Sequence, residues 1–238
     1  MRKYSFIPIP FLFALILLTA NVGAMESNHP QEKHVNPIFV AFLKYESNSN
    51  FRGRLLTDSS DYQIGTSVSY YGFSAGIRNQ KIESHDSFIA HYLSYSYNFN
   101  IANFSVGYQK DDPILESEEI FAEAVFQPYE NLEAKVSYYH RLDKKSSNFF
   151  EFQLRRPWIS DDGHWLAKPY ALLSMGNYHG SDFSLNHLEV GSDITYRINS
   201  KLFLSAHTLL ISPLENVKDV GLNSDSKFNI GISVRYIF

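Results

Sequence analysis

The sequence predicts an all-β fold, an antiparallel transmembrane β-barrel of about 12 strands. Three observations predict it: an N-terminal segment with the form of an export signal, apolar residues that alternate with polar ones up to the last residue, and connections that alternate between long and short. The 238 residues are 44% hydrophobic and 16% aromatic, and 19% are charged. This composition excludes a disordered chain. The mean hydropathy is nevertheless negative, as expected when apolar and polar side chains alternate.

Residue content also excludes several classes of function. A formal net charge of −4 argues against a protein that binds nucleic acid through its phosphates. The absence of cysteine excludes disulfides, thiol catalysis and cysteine-ligated metals. The nine histidines form no HExxH motif or close pair, and the chain has neither a GxGxxG motif nor a P-loop. We therefore predict no cofactor and no metal.

The first residues have the three parts of a secretory signal peptide. Arg2 and Lys3 give a positive start, the apolar core is densest over Phe11–Ala20, and Val22-Gly23-Ala24 supplies small residues before a cleavage site. This core is too short to span a bilayer, and no later stretch is apolar enough to form a transmembrane helix. We expect a signal peptide (1–24), a flexible periplasmic lead-in (25–36) and a transmembrane β-barrel (37–238).

The C-terminal strand is the most regular part of the pattern. Apolar side chains occupy every second position from Phe228 to Phe238, which gives the strand one apolar and one polar face. Its end resembles the C-terminal assembly signal of Gram-negative outer-membrane barrels, which closes on Tyr-x-Phe, although Ser233 stands where that pattern prefers glycine. The resemblance implies that Tyr236 and Phe238 are recognised by the outer-membrane assembly machinery.

Eleven further segments fit strands, which gives an even number of the kind that membrane barrels use. Tyr and Phe near the short-turn ends of these strands are expected to form an interfacial girdle. The predicted strands are Ile38–Tyr45, Tyr62–Tyr70, Phe73–Lys81, Phe88–Asn98, Asn103–Lys110, Glu119–Gln127, Leu132–Arg141, Asn148–Arg156, Leu166–Tyr178, His187–Ile198, Leu202–Ser212 and Lys227–Phe238. The predicted girdle comprises Tyr70, Tyr97, Phe126, Trp158, Tyr196, Tyr236 and Phe238.

Connection lengths predict the orientation of the barrel. Short connections such as Tyr71-Gly72 alternate with longer ones such as Glu46–Asp61, Asp111–Ser117 and Pro213–Ser226. Short periplasmic turns and longer outer loops are typical of outer-membrane barrels. We therefore expect both termini in the periplasm. One outer loop is expected to be acidic, either solvated or bridged by a divalent cation to lipopolysaccharide. Its acids are Asp111, Asp112, Glu116, Glu118 and Glu119.

In length, export signal, strand number and terminal Phe238, the chain resembles the small twelve-stranded monomeric porins that pass acidic oligosaccharides. The resemblance is architectural and transfers no functional residues. Three short segments are also similar to an uncharacterised family of bacterial outer-membrane proteins, for which no activity is known: Phe51-Arg52-Gly53, Asp61–Gly65 and Gly72–Gly76. The porin resemblance implies transport of small solutes across the outer membrane.

The alternation places a set of basic side chains inside the barrel. Each lies within a few residues of the short-turn end of its strand, so the set is expected to form one tier. A basic tier within a low-dielectric wall would favour small anionic solutes. The alternative is a closed lumen in which wall acids such as Glu133 neutralise these charges. The tier consists of Lys135, Arg155, Lys168, Arg197 and Arg235; the phase of Lys168 is open because its strand is apolar on both faces.

Two other functions remain open. One is a structural or surface-interaction barrel without transport. The other is a lipid-modifying outer-membrane hydrolase, because His179 and Ser181 have the His-x-Ser spacing of outer-membrane phospholipases and lipid A deacylases, with Glu189 or Asp193 available to orient the histidine. Their loop setting favours ordinary loop residues over catalysis. The prediction is therefore a channel, not an enzyme, that contacts outer-membrane lipids and lipopolysaccharide.

Overall fold

The computed structural model describes residues 36–51, 54–57, 59–83, 87–99, 102–112, 117–142, 147–177, 182–214 and 225–238. The predicted signal peptide and all but the last residue of the predicted lead-in lie outside these ranges. In the described part of the chain, no helix is long and apolar enough to cross a membrane.

Twelve strands form a barrel, and three short strands accompany it. The short strands β2 and β3 pair only with each other, and β11 pairs with the start of β12. The strands are β1 (Ile38–Glu46), β2 (Ser49–Phe51), β3 (Arg54–Thr57), β4 (Asp61–Tyr70), β5 (Phe73–Ile82), β6 (Ser87–Phe99), β7 (Ala102–Asp112), β8 (Ser117–Tyr129), β9 (Leu132–Arg141), β10 (Asn148–Arg155), β11 (Trp158–Ile159), β12 (Trp165–Gly176), β13 (Ser184–Arg197), β14 (Leu202–Pro213) and β15 (Lys227–Ile237).

Every barrel strand pairs antiparallel with two neighbours. Strand β1 pairs with β4 and β15, and the pairing of β10 with β12 completes the ring. No barrel edge is left unpaired, which a sheet in hydrocarbon requires because no water is there to satisfy open backbone groups. The predicted all-β antiparallel barrel of about 12 strands is confirmed.

The two ends of the barrel differ in their connections. Strand pairs β4–β5, β6–β7 and β8–β9 are joined by two residues each. The start of β1 and the end of β15 lie at the same end of the barrel as these connections, and we call it the turn end. In the first of these turns, Tyr71 and Gly72 have φ values of 47° and 81°. Positive φ at both central residues is the geometry of a tight hairpin whose twist matches the strands. A Cβ at position 72 would approach Ser96 O to 2.5 Å, so glycine is needed there.

The opposite end, which we call the loop end, differs from the expected pattern. Strand β7 continues to Asp112 and β8 begins at Ser117, with Asp111 paired opposite Ser117, so the connection predicted over Asp111–Ser117 is shorter than expected. Ser117 Oγ donates to Asp111 at 3.2 Å, and this contact extends the ladder. The long connections are 47–60 and 214–226.

The outward face of the barrel is an apolar belt. Leu43, Ile64 and Ile232 are exposed by 56%, 58% and 54%, values that a surface in water would rarely sustain along a continuous face. Exposed aromatic side chains surround the turn end, as an interfacial girdle does. Of the predicted girdle, five residues are exposed (Tyr70, Tyr97, Trp158, Tyr236, Phe238) and two are half-buried (Phe126, Tyr196). A closed barrel with this belt is the architecture of an integral outer-membrane protein.

Candidate functional site in the barrel lumen

The inner face divides into two halves with different packing. In the loop-end half, large side chains are buried: Phe88 is exposed by 1% and Phe149 by 0%, and Asp61 and Glu119 are each exposed by 1%. In the turn-end half, inward residues such as Ser233 are half-buried or exposed. The open lumen therefore lies at the turn end.

Small hydroxyl residues keep the turn-end half open. Cross-strand partners share a face, so they can hydrogen-bond directly across the ladder. Three such pairs of oxygens lie on the inner face, and each pair satisfies its own polar atoms without filling the lumen. The pairs are Ser69–Ser74 at 2.8 Å, Ser96–Ser105 at 2.8 Å and Thr195–Ser205 at 2.9 Å.

The five predicted basic residues all occupy inner-face positions near the turn end. Arg197 pairs with Phe203, which pairs with Arg235, so these three side chains lie abreast on β13, β14 and β15. The Arg235 guanidinium carbon lies 4.9 Å from the centre of the Phe203 ring, within range of a cation–π interaction. Arg155 pairs with Glu133, and the alternation of β9 places Lys135 on the same inner face. Lys168, whose phase the sequence leaves open, pairs with Asp193 and faces inward.

Wall acids neutralise part of this tier. Lys135 Nζ lies 2.5 Å from Glu123 Oε1, and Arg155 Nη1 lies 3.0 Å from Glu133 Oε1. Glu123 also accepts hydrogen bonds from Ser137 at 3.2 Å and Tyr139 at 3.1 Å. These cross-strand partners depend on strand register, and the sequence gives no direct indication of them. Arg155 and Lys135 are therefore oriented by the wall, whereas Arg197 and Arg235 line the turn-end opening.

Acidic side chains dominate the rest of the inner face. Among the described barrel strands, two inward acids lie level with members of the basic tier: Glu133 opposite Arg155 and Asp193 opposite Lys168. Four inward basic residues lie farther toward the loop end: Lys44, Arg78, Arg141 and Lys227. The inward acids there are Glu46, Asp61, Asp111, Glu119, Glu123, Glu151 and Glu189. The lumen is thus basic at the turn end and acidic toward the loop end. Asp111 and Glu119 belong to this wall, which corrects the expectation that they lie in an outer loop.

A second charged cluster lies midway along the lumen. Glu46 Oε1 is 3.1 Å from both Lys44 Nζ and His207 Nε2. The His207 ring reaches this position across Gly231, where a Cβ would lie 2.0 Å from His207 Cε1. Glycine is required there because any side chain would occupy the space of the ring. This cluster has no signature in the sequence, since its members come from β1, β14 and β15.

Other candidate chemistry finds no support in the described residues. His179 and Ser181 lie outside them, and Glu189, the suggested orienting residue, faces the lumen and accepts a hydrogen bond from Tyr170 Oη at 2.7 Å. In the described ranges, no group of three or more His, Asp and Glu could hold a metal.

In the turn before β12, hydrogen bonds from Ser160 Oγ and His164 N hold the pKa of Asp162 below its usual value.

Comparison with solved structures identifies the architecture. The KdgM porin superposes with a TM-score of 0.61 over 84% of this chain and 99% of its own, at 10% identity. A KdgM porin in complex with disordered oligogalacturonate gives 0.62 over the same shares, at 10% identity. The NanC porin gives 0.59 over 83% and 98%, at 9% identity.

Sequence comparisons give no further assignment. No protein-family model matches the chain. No curated protein matches it. The TM-scores near 0.6 and the nearly complete coverage of the solved structures establish the architecture on structural grounds. The chain has the fold of the small twelve-stranded outer-membrane porins.

Proposed function

We propose that the protein is a porin-like channel of the outer membrane with weak selectivity for small anionic solutes. The observation that carries this proposal is the set of five basic residues on the accessible, turn-end half of the inner face. The KdgM structure with oligogalacturonate supports it, because that ligand is an acidic oligosaccharide in a barrel of the same fold.

Electrostatics provide the selectivity in this proposal. A cluster of like charges in a low-dielectric wall raises the local concentration of the opposite ion. Arg197 and Arg235 flank the opening, so an anion meets them at the turn-end mouth, while the paired Lys135 and Arg155 add a weaker field. Acids elsewhere in the wall limit the preference, which is why weak selectivity is proposed.

Conductance in a planar bilayer tests the proposal. We expect defined conductance steps, and a reversal potential in a salt gradient that shows a modest preference for anions. Arg155→Glu with Arg197→Glu should shift that potential toward cation selectivity. The matched control is Arg156→Glu with Lys201→Glu, which changes the same charge at exposed turn-end positions outside the barrel strands. A silent barrel, or a wild type that prefers cations, would contradict the proposal.

Assembly by the outer-membrane machinery is proposed to depend on the last residues. The rings of Tyr236 and Phe238 pack edge to face with centres 4.9 Å apart, and Phe238 N donates to Phe39 O at 3.0 Å across the closing seam. Deleting Phe238 should leave the protein in the periplasm or degraded. Normal amounts of heat-modifiable barrel in the outer membrane would refute this role.

The turn end is proposed to face the periplasm, with lipopolysaccharide around the loop end. Because the chain has no cysteine, single cysteines can report the orientation. Asp111 and Ser117 are each exposed by 1%, so the outer cysteine belongs in the connection 113–116 between them. A cysteine there should react with an impermeant reagent in intact cells, whereas one within Tyr129–Asn131 should not. Equal labelling at the two positions would contradict the orientation.

A further inference from the structure

A groove of about 430 Å³ lies on the outside of the barrel, across five strands. Its walls are two parallel rows of outward side chains. One row contains Leu204, Val234, Leu43, Ile64 and Asn79, and the other contains Ile232, Tyr45, Tyr62 and Lys81. Five neighbouring strands span about 19 Å. The groove is therefore long, narrow and apolar, which suits an extended acyl chain.

One end of the groove is polar. Asn79 and Lys81 close it on β5, both are exposed, and both point away from the lumen because they pair with outward Ile64 and Tyr62. The rings of Tyr45 and Tyr62 lie 5.1 Å apart beside them. This end lies toward the loop end of the barrel, where tyrosine hydroxyls meet lipid headgroups.

The polar surface continues onto the next two strands. Exposed His91 on β6 pairs directly with Lys110 on β7, and both point outward. Lys110 Nζ lies 3.4 Å from Glu118, so this lysine already has one anionic neighbour.

On β13 and β15, outward positions toward the loop end such as Leu188 and Ile230 are apolar. On β9 and β10, outward His140 and Asn148 lie 2.9 Å apart and continue the polar surface. The basic and amide side chains that interrupt the apolar belt therefore run from β5 to β10, and the groove meets them at β5.

We infer that this surface binds a phosphorylated lipid of the outer leaflet, of the lipid A type. One acyl chain lies in the groove, and the phosphate accepts hydrogen bonds from Lys81 and Asn79, with Lys110 and His91 beside the headgroup. Cationic side chains on a lipid-facing surface are tolerated where headgroups reach them, and ammonium–phosphate contacts are strong hydrogen bonds. The inference rests on the outer-membrane placement and is independent of conduction.

Native mass spectrometry of the refolded barrel with purified lipids tests the inference. Wild type should bind bis-phosphorylated lipid A more tightly than the same lipid after enzymatic dephosphorylation. Lys81→Gln with Lys110→Gln should weaken binding of the phosphorylated lipid about ten-fold, or about 1.4 kcal/mol, without changing the dephosphorylated one. Leu43→Trp, which fills the groove, should weaken both.

The matched control is Arg156→Gln with Lys201→Gln, which removes the same charge at the turn end and should leave both affinities unchanged. Heat-modifiable migration verifies that each variant is folded. Equal binding of the two lipids by wild type would overturn the inference without requiring any variant to fold. The inference would also be overturned if the double variant and its control lost equal affinity for the phosphorylated lipid. Displacement of the lipid by excess inorganic phosphate would overturn it as well. A barrel that binds the lipid but does not conduct would contradict the channel proposal alone.

Discussion

The two halves of the lumen are built on the same strands and yet have opposite characters. At the turn end, small hydroxyl residues such as Ser69 and Ser74 pair across the ladder, and basic side chains stand in the space they leave. At the loop end, Phe88 and Phe149 are buried among carboxylates and amides. The comparison shows that inward side-chain size, and not strand number, sets the width of this lumen along its axis.

Packing energy should show the largest difference between the halves. Phe149→Ala removes a fully buried ring and should lower the free energy of unfolding by about 3–5 kcal/mol. Phe203→Ala removes a half-buried ring at the turn end and should cost about 1 kcal/mol. Urea unfolding of the barrel in lipid vesicles measures both. Equal losses would mean that the loop-end half is no better packed than the turn-end half.

Solvent access should differ nearly as much. Ser174 is exposed by 0% and Ser233 is half-buried, and both face inward. With a soluble thiol reagent, Ser233→Cys should react at least about 100 times faster than Ser174→Cys, which corresponds to an opening free energy of about 2.7 kcal/mol. The cysteine-free wild type supplies the blank. Similar rates would show that water reaches both halves.

Ion pairs in the two halves should respond differently to loss of the cation. Asp111 is exposed by 1%, so Arg78→Met would leave a buried carboxylate that keeps its hydrogen bonds from Gln109 and Ser117 but has lost its cation. We expect a loss of about 2 kcal/mol in unfolding free energy. Lys135→Met should cost at most about 1 kcal/mol, because that pair is partly exposed. The opposite order, measured by the same urea unfolding, would contradict the assignment of the halves.

The axial charge difference should produce the smallest effect, a directional current. A pore that is basic at one end and acidic at the other passes ions unequally at opposite voltages, here by a ratio on the order of two-fold. The variant Arg155→Gln, Arg197→Gln, Arg235→Gln should bring the ratio of currents close to one in single-channel records. Arg156→Gln is the control, since it removes an exposed charge that lies outside the barrel strands, directly after inward Arg155. A symmetric wild-type current would contradict this prediction.

The sequence predicts the barrel well because alternation is local. Each strand carries its own period-two pattern, and the run from Phe228 to Phe238 needs no partner to be recognised. Strand bounds at the loop end were less predictable because inward Ile82 and Phe88 are apolar and buried, which weakens the contrast between the faces. At the loop end, the burial of these side chains against other strands determines where the pairing of neighbouring strands ends.

The contacts within the lumen could not be predicted in the same way. The inward position of Lys168 follows from its pairing with Asp193, and the partner of Lys135 follows from the register of β8 against β9. The Glu46–His207 contact joins residues far apart in sequence, at a position that Gly231 leaves open. Such relations require the register of several strands at once, which one sequence does not contain.

Closure of the ring through β1 and β15 has a consequence for the order of folding. The two strands of this seam, where Val40 pairs with Ile237, come from opposite ends of the described chain. Hairpins such as β4–β5 form from local contacts, but the seam must pay the entropy of closing a loop of nearly the whole chain. Ring closure therefore comes late, and until then the edges of β1 and β15 are open to pairing with other strands.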